Sequence, residues 1–359
     1  MQEVGAGGSS YQGMHSLRSL CMDSSLFSLG VAMIARDCED TIAIALQSVR
    51  DVASQIVVID TGSSGRRPTI ATRMRAEVYF NLWRDNFSYA RNLALEYLRT
   101  DWVLVLDSDE ELDRDSFRLH CPDLWEPMLG GVEVAIANTL DDGATVAEHR
   151  FTRLFRRHPA IRFEGAIHEQ VAERIEQAGF QILHSQIRIL HHGYRTLTPE
   201  KIARNISLLE AELEHNPKSA WHRYHLGLAY FAAGRLDRAA DLLAALSDDL
   251  SLSLPQRELA RLRLAQCALA CDELLDAEGF ITHPCADVHR EGLRLFIMAG
   301  IRAAQQRSRD AVELLEHPLT RQSGLVNQTQ RAHFAERIGG VLAYHSAQAN
   351  LPADRWHLA

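Results

Sequence analysis

The stretch VLVLDSDEEL, Val103–Leu112, constrains the fold of this chain more than any other. Its first half is a short, continuous apolar run, which is typical of a strand buried on both faces. Acidic residues follow at the carboxyl end, with Asp107 and Asp109 one residue apart and then Glu110 and Glu111. Ligands of open α/β sheets bind outside the carboxyl ends of the strands. The run therefore predicts either a divalent cation that holds a diphosphate or a solvated acidic turn, and we expect Glu110 and Glu111 to shape the exit from the strand.

Strands and helices alternate through the first half of the chain, which predicts a doubly wound parallel sheet. The predicted strands are 29–34, 55–60, 77–80 and 103–106, and the predicted helices are 40–52, 68–76 and 89–99. Ser88 is the predicted N-cap of the third helix. Beyond Leu112 we expect two antiparallel-type strands, 132–137 and 149–155, joined by a turn at 141–143, and then short strands mixed with loops.

Composition divides the chain into three parts. Residues 1–25 are rich in Gly and Ser and lack periodicity, which predicts a disordered leader. Residues 26–198 form the predicted α/β domain. Residues 199–359 are rich in Ala and Leu, and a tetratricopeptide-like motif in this part repeats at roughly 34 residues. The small residue of the motif recurs at Ala239, Ala277 and Ala311, and the predicted aromatic core is Trp221, Tyr224, Tyr230 and Phe231.

Charge and cysteine usage narrow the class of protein. The formal net charge of -9 argues against a nucleic-acid binder, which normally carries a basic face. The six cysteines form no CxxC pair and no secretory leader is visible, so we expect a reduced, cytoplasmic setting, free or at the inner face of the membrane. No apolar run approaches the ~20 residues of a membrane span. The helical repeats suggest a partner protein or self-association.

Three acids lie at corresponding places in the predicted sheet. Asp60 ends one strand, and Asp107 and Asp109 follow another. We expect them to share one crevice, with Asp60 accepting hydrogen bonds from a base, Asp107 from ribose hydroxyls, and Asp109 binding the metal. The alternative for Asp60 is a simple turn-forming role before Gly62.

Three segments resemble the family 2 glycosyltransferases, namely Met33–Ser64, Trp83–Asn92 and Asp101–Leu112. Later segments at 153–156, 163–170 and 191–194 resemble a bacterial subgroup in which a GT-A domain precedes tetratricopeptide repeats. Two positions depart from the family pattern. Cys38 stands in a motif that commonly reads Arg-Asn-Glu-Glu, and Gly65 stands where Asp commonly follows Gly-Ser-Thr.

The resemblance implies a GT-A-like α/β domain, a nucleotide-sugar donor, most simply a UDP-sugar, and Mg²⁺ or Mn²⁺. It assigns nucleotide-side contacts to Ala35, Arg36, Asp60, Arg91, Asp107 and Ser108, and metal ligation to Asp109 and His191. Inversion at the anomeric carbon also follows from the resemblance. The acceptor stays open between a saccharide and a peptide or protein.

Transfer with inversion needs a base on the acceptor side. We predict Glu169 for this role, with Glu164 and His168 as alternatives, although such groups often serve in salt bridges. His191 and His192 have a structural alternative as surface or hydrogen-bonded core groups. An anionic acceptor is one role for the arginines at 150, 153, 156 and 157, and we expect at least half of them to be salt-bridged on a strand face.

Two other classes of protein compete with the enzyme. A catalytically degenerate protein that acts through its helical repeats would explain the departures at Cys38 and Gly65. The acids Asp107 and Asp109 argue against it. A nucleotidyltransferase would carry a Gly-rich phosphate loop in the first strand–helix turn, and Ala35–Asp40 contains no Gly.

Overall fold

The computed structural model describes residues 27–63, 69–139, 145–192 and 198–349. Eight strands form one mixed sheet in the order β3-β2-β1-β4-β7-β6-β8-β5. The strands are β1 Leu29–Ala35, β2 Gln55–Asp60, β3 Glu77–Phe80, β4 Trp102–Val105, β5 Glu110–Leu112, β6 Leu129–Thr139, β7 Thr145–Arg156 and β8 Gln181–His191. The leader at 1–25, the turn at 141–143 and Gly65 lie outside the described residues.

The first four strands are parallel, as the alternation of strands and helices predicted. β1 pairs with β2 on one side and β4 on the other, and Ala35 lies opposite Asp60 in the register. The apolar runs of β1, β2 and β4 are almost wholly buried because helices cover both faces of a parallel sheet. The carboxyl ends of these strands therefore bring the predicted nucleotide residues to one edge.

The second half of the sheet is mixed, and its strands β6 and β7 contain the two antiparallel-type strands predicted at 132–137 and 149–155. β7 runs antiparallel to β4, β6 runs parallel to β8, and the short β5 pairs antiparallel with β8. Two of these strands differ from the sequence prediction. Glu110–Leu112 was expected only to leave β4, and 181–191 is one long strand rather than short pieces. Polar residues at alternate positions of β8 obscure its apolar signal.

Five helices belong to the sheet-containing part of the chain, namely α1 Ile42–Val49, α2 Thr69–Arg73, α3 Phe87–Tyr97, α4 Arg114–His120 and α5 Ala172–Gln177. The predicted N-cap of α3 is wrong. Asn86 caps the helix, because its side chain accepts a hydrogen bond from the backbone N–H of Tyr89 at 2.7 Å. Ser88 lies inside the first turn, and its hydroxyl donates to the carbonyl of Gly165 instead.

The chain forms two compact units. The sheet belongs to the first, and the second comprises residues 198–349 together with the short segments 145–147 and 166–168. Its helices are α6 Pro199–His215, α7 Ala220–Ala232, α8 Leu236–Ala244, α9 Leu254–Ala270, α10 Leu274–Phe280, α11 Val288–Ala304, α12 Ser308–Glu316, α13 Pro318–Gln322 and α14 Gln328–Ala349.

Helices α7, α9 and α11 begin 34 residues apart, at Ala220, Leu254 and Val288, and each is followed by a shorter antiparallel-type partner. The predicted small residues Ala239, Ala277 and Ala311 are fully buried, at matching positions of α8, α10 and α12. In the first pair, a Cβ at Gly227 would lie 2.7 Å from Leu243, so only glycine permits this close approach.

The predicted aromatic core of the repeats is partly wrong. Tyr224 and Tyr230 are buried, whereas Trp221 and Phe231 keep part of their surface exposed. The Arg263 guanidinium lies over the Phe231 ring at 4.8 Å, and the Trp221 indole N–H makes a hydrogen bond within the second unit. Through the part of the chain that is described, no helix combines the length and apolar character needed to cross a bilayer.

Candidate functional site

The loops that follow β1 and β2 meet at the carboxyl edge of the sheet. Asp60 is buried, and its Oδ1 accepts hydrogen bonds from the backbone N–H groups of Gly62 and Ser63 at 2.9 and 2.8 Å. The Ser63 hydroxyl accepts a hydrogen bond from the Asp37 backbone N–H. Asp60 therefore has the turn-forming role that was the alternative at this position. This role does not exclude a contact with a base.

The residues that follow β1 differ in exposure. Ala35 is buried at the end of the strand, and its carbonyl accepts a hydrogen bond from Thr61. Arg36 reaches outward, with 58% of its side chain exposed and an ion pair to Asp37 at 3.8 Å. The Cys38 thiol shares a hydrogen bond with the hydroxyl of Ser108, and burial raises the pKa of this thiol. Cys38 thus connects the first loop to the Asp-Ser-Asp motif.

Asp107 is held by two arginines. Arg91 Nη2 donates to its Oδ1 at 2.9 Å, and Arg153 Nη2 donates to its Oδ2 at 3.1 Å. Burial opposes the charged form of Asp107, but the two guanidinium groups outweigh it and hold the pKa of this carboxyl well below its ordinary value. Both carboxylate oxygens are occupied, so a ribose contact with Asp107 requires its remaining lone pairs.

Glu110 is the other carboxylate of this network. Its Oε1 accepts from Arg153 Nη2 at 3.1 Å, and its Oε2 accepts from the Asp107 backbone N–H at 2.8 Å. Burial raises the pKa of Glu110, the Asp107 carboxylate adds to this rise, and Arg153 opposes it. Glu110 therefore does more than shape the strand exit, because it fixes Arg153 and the backbone of the motif.

Asp109 and His191 come together from distant parts of the sequence. His191 ends β8 and pairs in register with Glu110 of β5 and Asn138 of β6. Its Nδ1 lies 2.7 Å from Oδ1 of the buried Asn138, and its Nε2 lies 3.4 Å from Oδ2 of Asp109. The hydrogen bond with Asp109 raises the pKa of His191. The imidazole is thus anchored at one nitrogen and faces a carboxylate with the other.

His192 faces the other way, as expected for neighbouring residues of a strand. Its Nε2 lies 2.8 Å from Glu111, and its Nδ1 lies 3.3 Å from the Thr139 hydroxyl. His149 is a further imidazole near the network. Burial, with the charges of His191 and Arg153, lowers the pKa of His149 to about 4, so this ring is neutral at neutral pH.

Glu169 joins the network from the loop before α5. Its carboxylate accepts a hydrogen bond from Arg91 Nε, and both side chains are about nine-tenths buried. Helix α3 fixes this region, because Asn92 exchanges two hydrogen bonds with the backbone of Phe163 and Ser88 donates to Gly165. Nη1 of Arg91 is buried and has no hydrogen-bond partner within the described residues.

The two alternatives for the base lie elsewhere. Glu164 is half exposed and forms an ion pair with Arg174, although its backbone pairs with Gln170. The ring of His168 stacks on that of His225 at 3.8 Å inside the second unit. Of the three candidates, Glu169 is the one in contact with Arg91 and, through it, with Asp107.

Among the arginines at 150, 153, 156 and 157, the described contacts give ion pairs to Arg153 and backbone-carbonyl hydrogen bonds to the other three, so the expectation that at least half would be salt-bridged is wrong. Arg150 and Arg157 each donate to one backbone carbonyl, those of Ser185 and Thr100, and Arg156 donates to the carbonyls of three residues between 124 and 129. These three support the fold. Arg153 contacts the acids of the motif, a partner choice that the sequence analysis did not predict, and Asn138 is a residue of the network that it missed. The alternation of β7 was a signal for Arg153, since Arg153 and Phe155 share a face.

Comparison with known proteins places this site in a family. The profile described as Glycosyl transferase family 2 matches residues 30–193, which contain every acid, arginine and histidine of the network. A TPR repeat-containing protein of Synechococcus elongatus is 31% identical over 236 residues, which cover 62% of this chain and 56% of that protein. The SPbeta prophage-derived glycosyltransferase SunS of Bacillus subtilis is 22% identical over 203 residues, covering 55% of this chain and 48% of that protein.

The chain therefore spans about half the length of the curated relatives that it matches. Among solved structures, S. aureus TarS 1-349 aligns with 79% of this chain and 91% of its own length, at 16% identity and a TM-score of 0.37. The profile match confirms the resemblance seen in the sequence: residues 30–193, which carry the site, are similar to glycosyl transferase family 2.

Proposed function

We propose that this chain is a divalent-metal-dependent glycosyltransferase that moves a sugar, with inversion, from a nucleotide-sugar donor to a saccharide or peptide acceptor. A UDP-sugar is the donor that we test first. The family match of residues 30–193 supports glycosyl transfer. The ion pairs that link Glu169, Arg91, Asp107, Arg153 and Glu110 support it further, because such a reaction uses charged groups gathered at one site.

The observation that carries the metal assignment is the pair Asp109 and His191. A metal-binding histidine usually donates its other ring N–H to a neighbouring oxygen, which fixes its orientation, and Asn138 supplies that oxygen here. The remaining nitrogen faces the Asp109 carboxylate at 3.4 Å, so two donors of the kind that Mn²⁺ accepts lie side by side. No group of three or more His, Cys, Asp or Glu side chains suited to a metal occurs in the described part of the chain.

Two protein ligands fit an ion that takes its other ligands from substrate phosphates and water, as Mg²⁺ and Mn²⁺ commonly do. When bound, such an ion stabilises the negative charge that develops on the departing diphosphate. Asp107 does not serve as a ligand in this proposal, because Arg91 and Arg153 already engage its two oxygens. The two alternate acids of the motif therefore have different roles.

The chain's own residues perform the acceptor half of the reaction. Arg91 engages Oε1 of Glu169, and we assign the acceptor proton to Oε2. As this carboxylate removes the proton, the acceptor oxygen forms a bond to the anomeric carbon, and the bond from that carbon to the diphosphate breaks. The unpartnered Nη1 of Arg91 lies within this arrangement, and an oxygen of donor or acceptor would satisfy its buried N–H groups.

The first experiment tests the metal pair. We expect the purified chain to bind UDP in the presence of Mn²⁺ and to release UDP from at least one UDP-sugar, with water or an added acceptor. Asp109→Asn should abolish metal-dependent release. Asp115→Asn is the matched control, because the Asp115 side chain is 97% exposed on the same unit. Full activity of Asp109→Asn would contradict the metal assignment.

The second experiment tests the base. Glu169→Gln should keep UDP binding and lose turnover by about 100-fold or more, because a general base contributes about 10²–10⁴ in rate. Glu164→Gln is its matched control and should keep both. The wild-type chain could instead bind no nucleotide and release no nucleotide from any nucleotide-sugar. In that case a catalytically degenerate protein that acts through its helical repeats is the better explanation.

A further inference from the structure

Residues 166–168 lie within the second unit and directly precede Glu169 in the sequence. Two residues of this turn have left-handed backbone at its ends, with φ values of 93° at Gly165 and 52° at His168. Glycine adopts this conformation without strain, but a histidine adopts it only where surrounding contacts hold it. The contacts that hold His168 in this conformation therefore affect the backbone position of Glu169, the next residue.

Helices α6 and α7 supply those contacts. The Trp221 indole Nε1 donates to the carbonyl of His168 at 3.0 Å. The ring of His168 lies parallel to that of His225, with centroids 3.8 Å apart and planes 14° apart. At the other end of the turn, the carboxylate of Glu212 accepts a hydrogen bond from the backbone N–H of Ala166. Backbone and ring of the turn are thus held at three points.

Trp221 and His225, both on α7, contact His168 in different ways. Trp221 packs edge-on against His225 at 4.4 Å, and Tyr224 packs edge-on against His225 at 5.2 Å, so the imidazole is held on two sides. Nε2 of His225 is buried and without a hydrogen-bond partner among the residues described. His225 therefore acts on His168 through ring packing, whereas Trp221 acts through its N–H group.

We propose that Trp221 and His225 are positioning residues for Glu169, which act by fixing the conformation of His168. The inference rests on the proposed function, since it takes Glu169 as the base. It gives α7, the helix that carries both residues, a role in the reaction. A base displaced by about 1 Å loses on the order of 100-fold in rate, so small changes in this turn should be visible in turnover.

The test uses the full chain and two readouts, the Kd of UDP in the presence of Mn²⁺ and the kcat of UDP release from the UDP-sugar that the wild type uses best. Trp221→Phe removes the indole N–H, and we expect its kcat to fall about 10-fold to 100-fold with the Kd of UDP within twofold of wild type. Trp125→Phe is the matched control, because Trp125 is an exposed tryptophan of the first unit. The control should change neither quantity.

His225 supplies a second, independent variant. His225→Ala should lower kcat in the same way, and His225→Phe should restore most of it, because phenylalanine keeps a flat ring against His168. A wild-type kcat for both Trp221→Phe and His225→Ala would overturn the positioning role. Equal losses of UDP binding and turnover would also overturn it, since they would show a purely structural contribution. A wild-type chain that releases no nucleotide from any nucleotide-sugar overturns the proposed function itself.

Discussion

Arg153 offers the sharpest test of the charge network, because its side chain is 15% exposed and bridges two carboxylates. Substitution by methionine keeps an unbranched apolar stem of similar volume to that of the arginine and removes the charge. Glu110, only 4% exposed, then loses its cationic partner, and Asp107 keeps only Arg91. The variant therefore leaves a buried carboxylate without compensation, which is the costly way to break an ion pair.

The magnitude follows from the two contacts. Each N···O distance is 3.1 Å, and at an effective dielectric constant of about 20 each pair contributes roughly 5 kcal/mol of attraction. Burial of the guanidinium and of both carboxylates offsets much of this. Removal of one partner of a buried pair typically costs about 3–5 kcal/mol, and we expect Arg153→Met to lower the free energy of unfolding by that amount at pH 8.

The loss of unfolding free energy in Arg153→Met should become smaller as the pH falls. Burial raises the pKa of Glu110 above its unfolded value, so the folded chain binds this proton more tightly than the unfolded chain does. Without Arg153 the pKa rises further, and stability is recovered as the pH falls from 8 towards 5. Glu110→Gln in the Arg153→Met background should recover part of the loss at pH 8, because glutamine carries no charge to bury.

Urea-induced unfolding followed by circular dichroism at pH 8 and pH 5.5 measures these differences. Arg156→Met is the matched control on the same strand, because the guanidinium of Arg156 donates hydrogen bonds to backbone carbonyls. The destabilisation of this control should therefore be the same at both pH values. The reasoning is refuted if Arg153→Met lies within 1 kcal/mol of wild type at pH 8, or if its deficit is the same at both pH values.

Three further predictions concern other parts of the molecule. Asn138→Leu should weaken Mn²⁺ binding about 10-fold to 100-fold in titration calorimetry, because it frees the ring that Asn138 orients, and unchanged affinity would contradict this role. Burial, with the charges of His168 and His222, holds the pKa of His225 well below its ordinary value, so stability should fall as the pH drops below about 6.5, by up to about 1.4 kcal/mol per pH unit. His225→Phe should flatten that slope in urea unfolding between pH 7.5 and 5.5. Among the cysteines described, the exposed Cys271 should be alkylated by iodoacetamide before Cys285, whose pKa burial raises to about 11, and peptide mass spectrometry can show the order.

Local patterns in the sequence were sufficient to predict the parallel half of the sheet and the helical repeats. Continuous apolar runs defined β1, β2 and β4, and the fold class, a GT-A-like α/β domain followed by α-helical repeats, is confirmed. The 34-residue spacing of α7, α9 and α11 is a periodicity that sequence alone can show. In each case the determinant is a short stretch of chain whose pattern is visible without its partners.

The mixed second half of the sheet was less predictable, because contacts between residues distant in sequence determine it. β5 has only three residues and exists because Glu110 and Leu112 pair with His191 and Ile189 of β8. From the sequence, the acids of β5 were expected to lie in solvent where the chain leaves β4. Glu110 is buried instead, because Arg153, 43 residues away, compensates its charge. Asn138 belongs to the same category, since an Asn in an apolar strand shows no role until His191 lies beside it.

The Asp-Ser-Asp motif shows how one strand end supports two kinds of chemistry. Two residues separated by one position in an extended segment usually share a face and an environment. Here Asp107 meets two buried arginines and becomes a fixed negative charge, whereas Asp109 meets a histidine whose other nitrogen is anchored. In the proposed mechanism, the first acid orders the arginine that contacts Glu169, and the second binds the cation. If this division is correct, Asp107→Asn should impair the position of Arg91 and turnover, while Asp109→Asn should impair Mn²⁺ binding first.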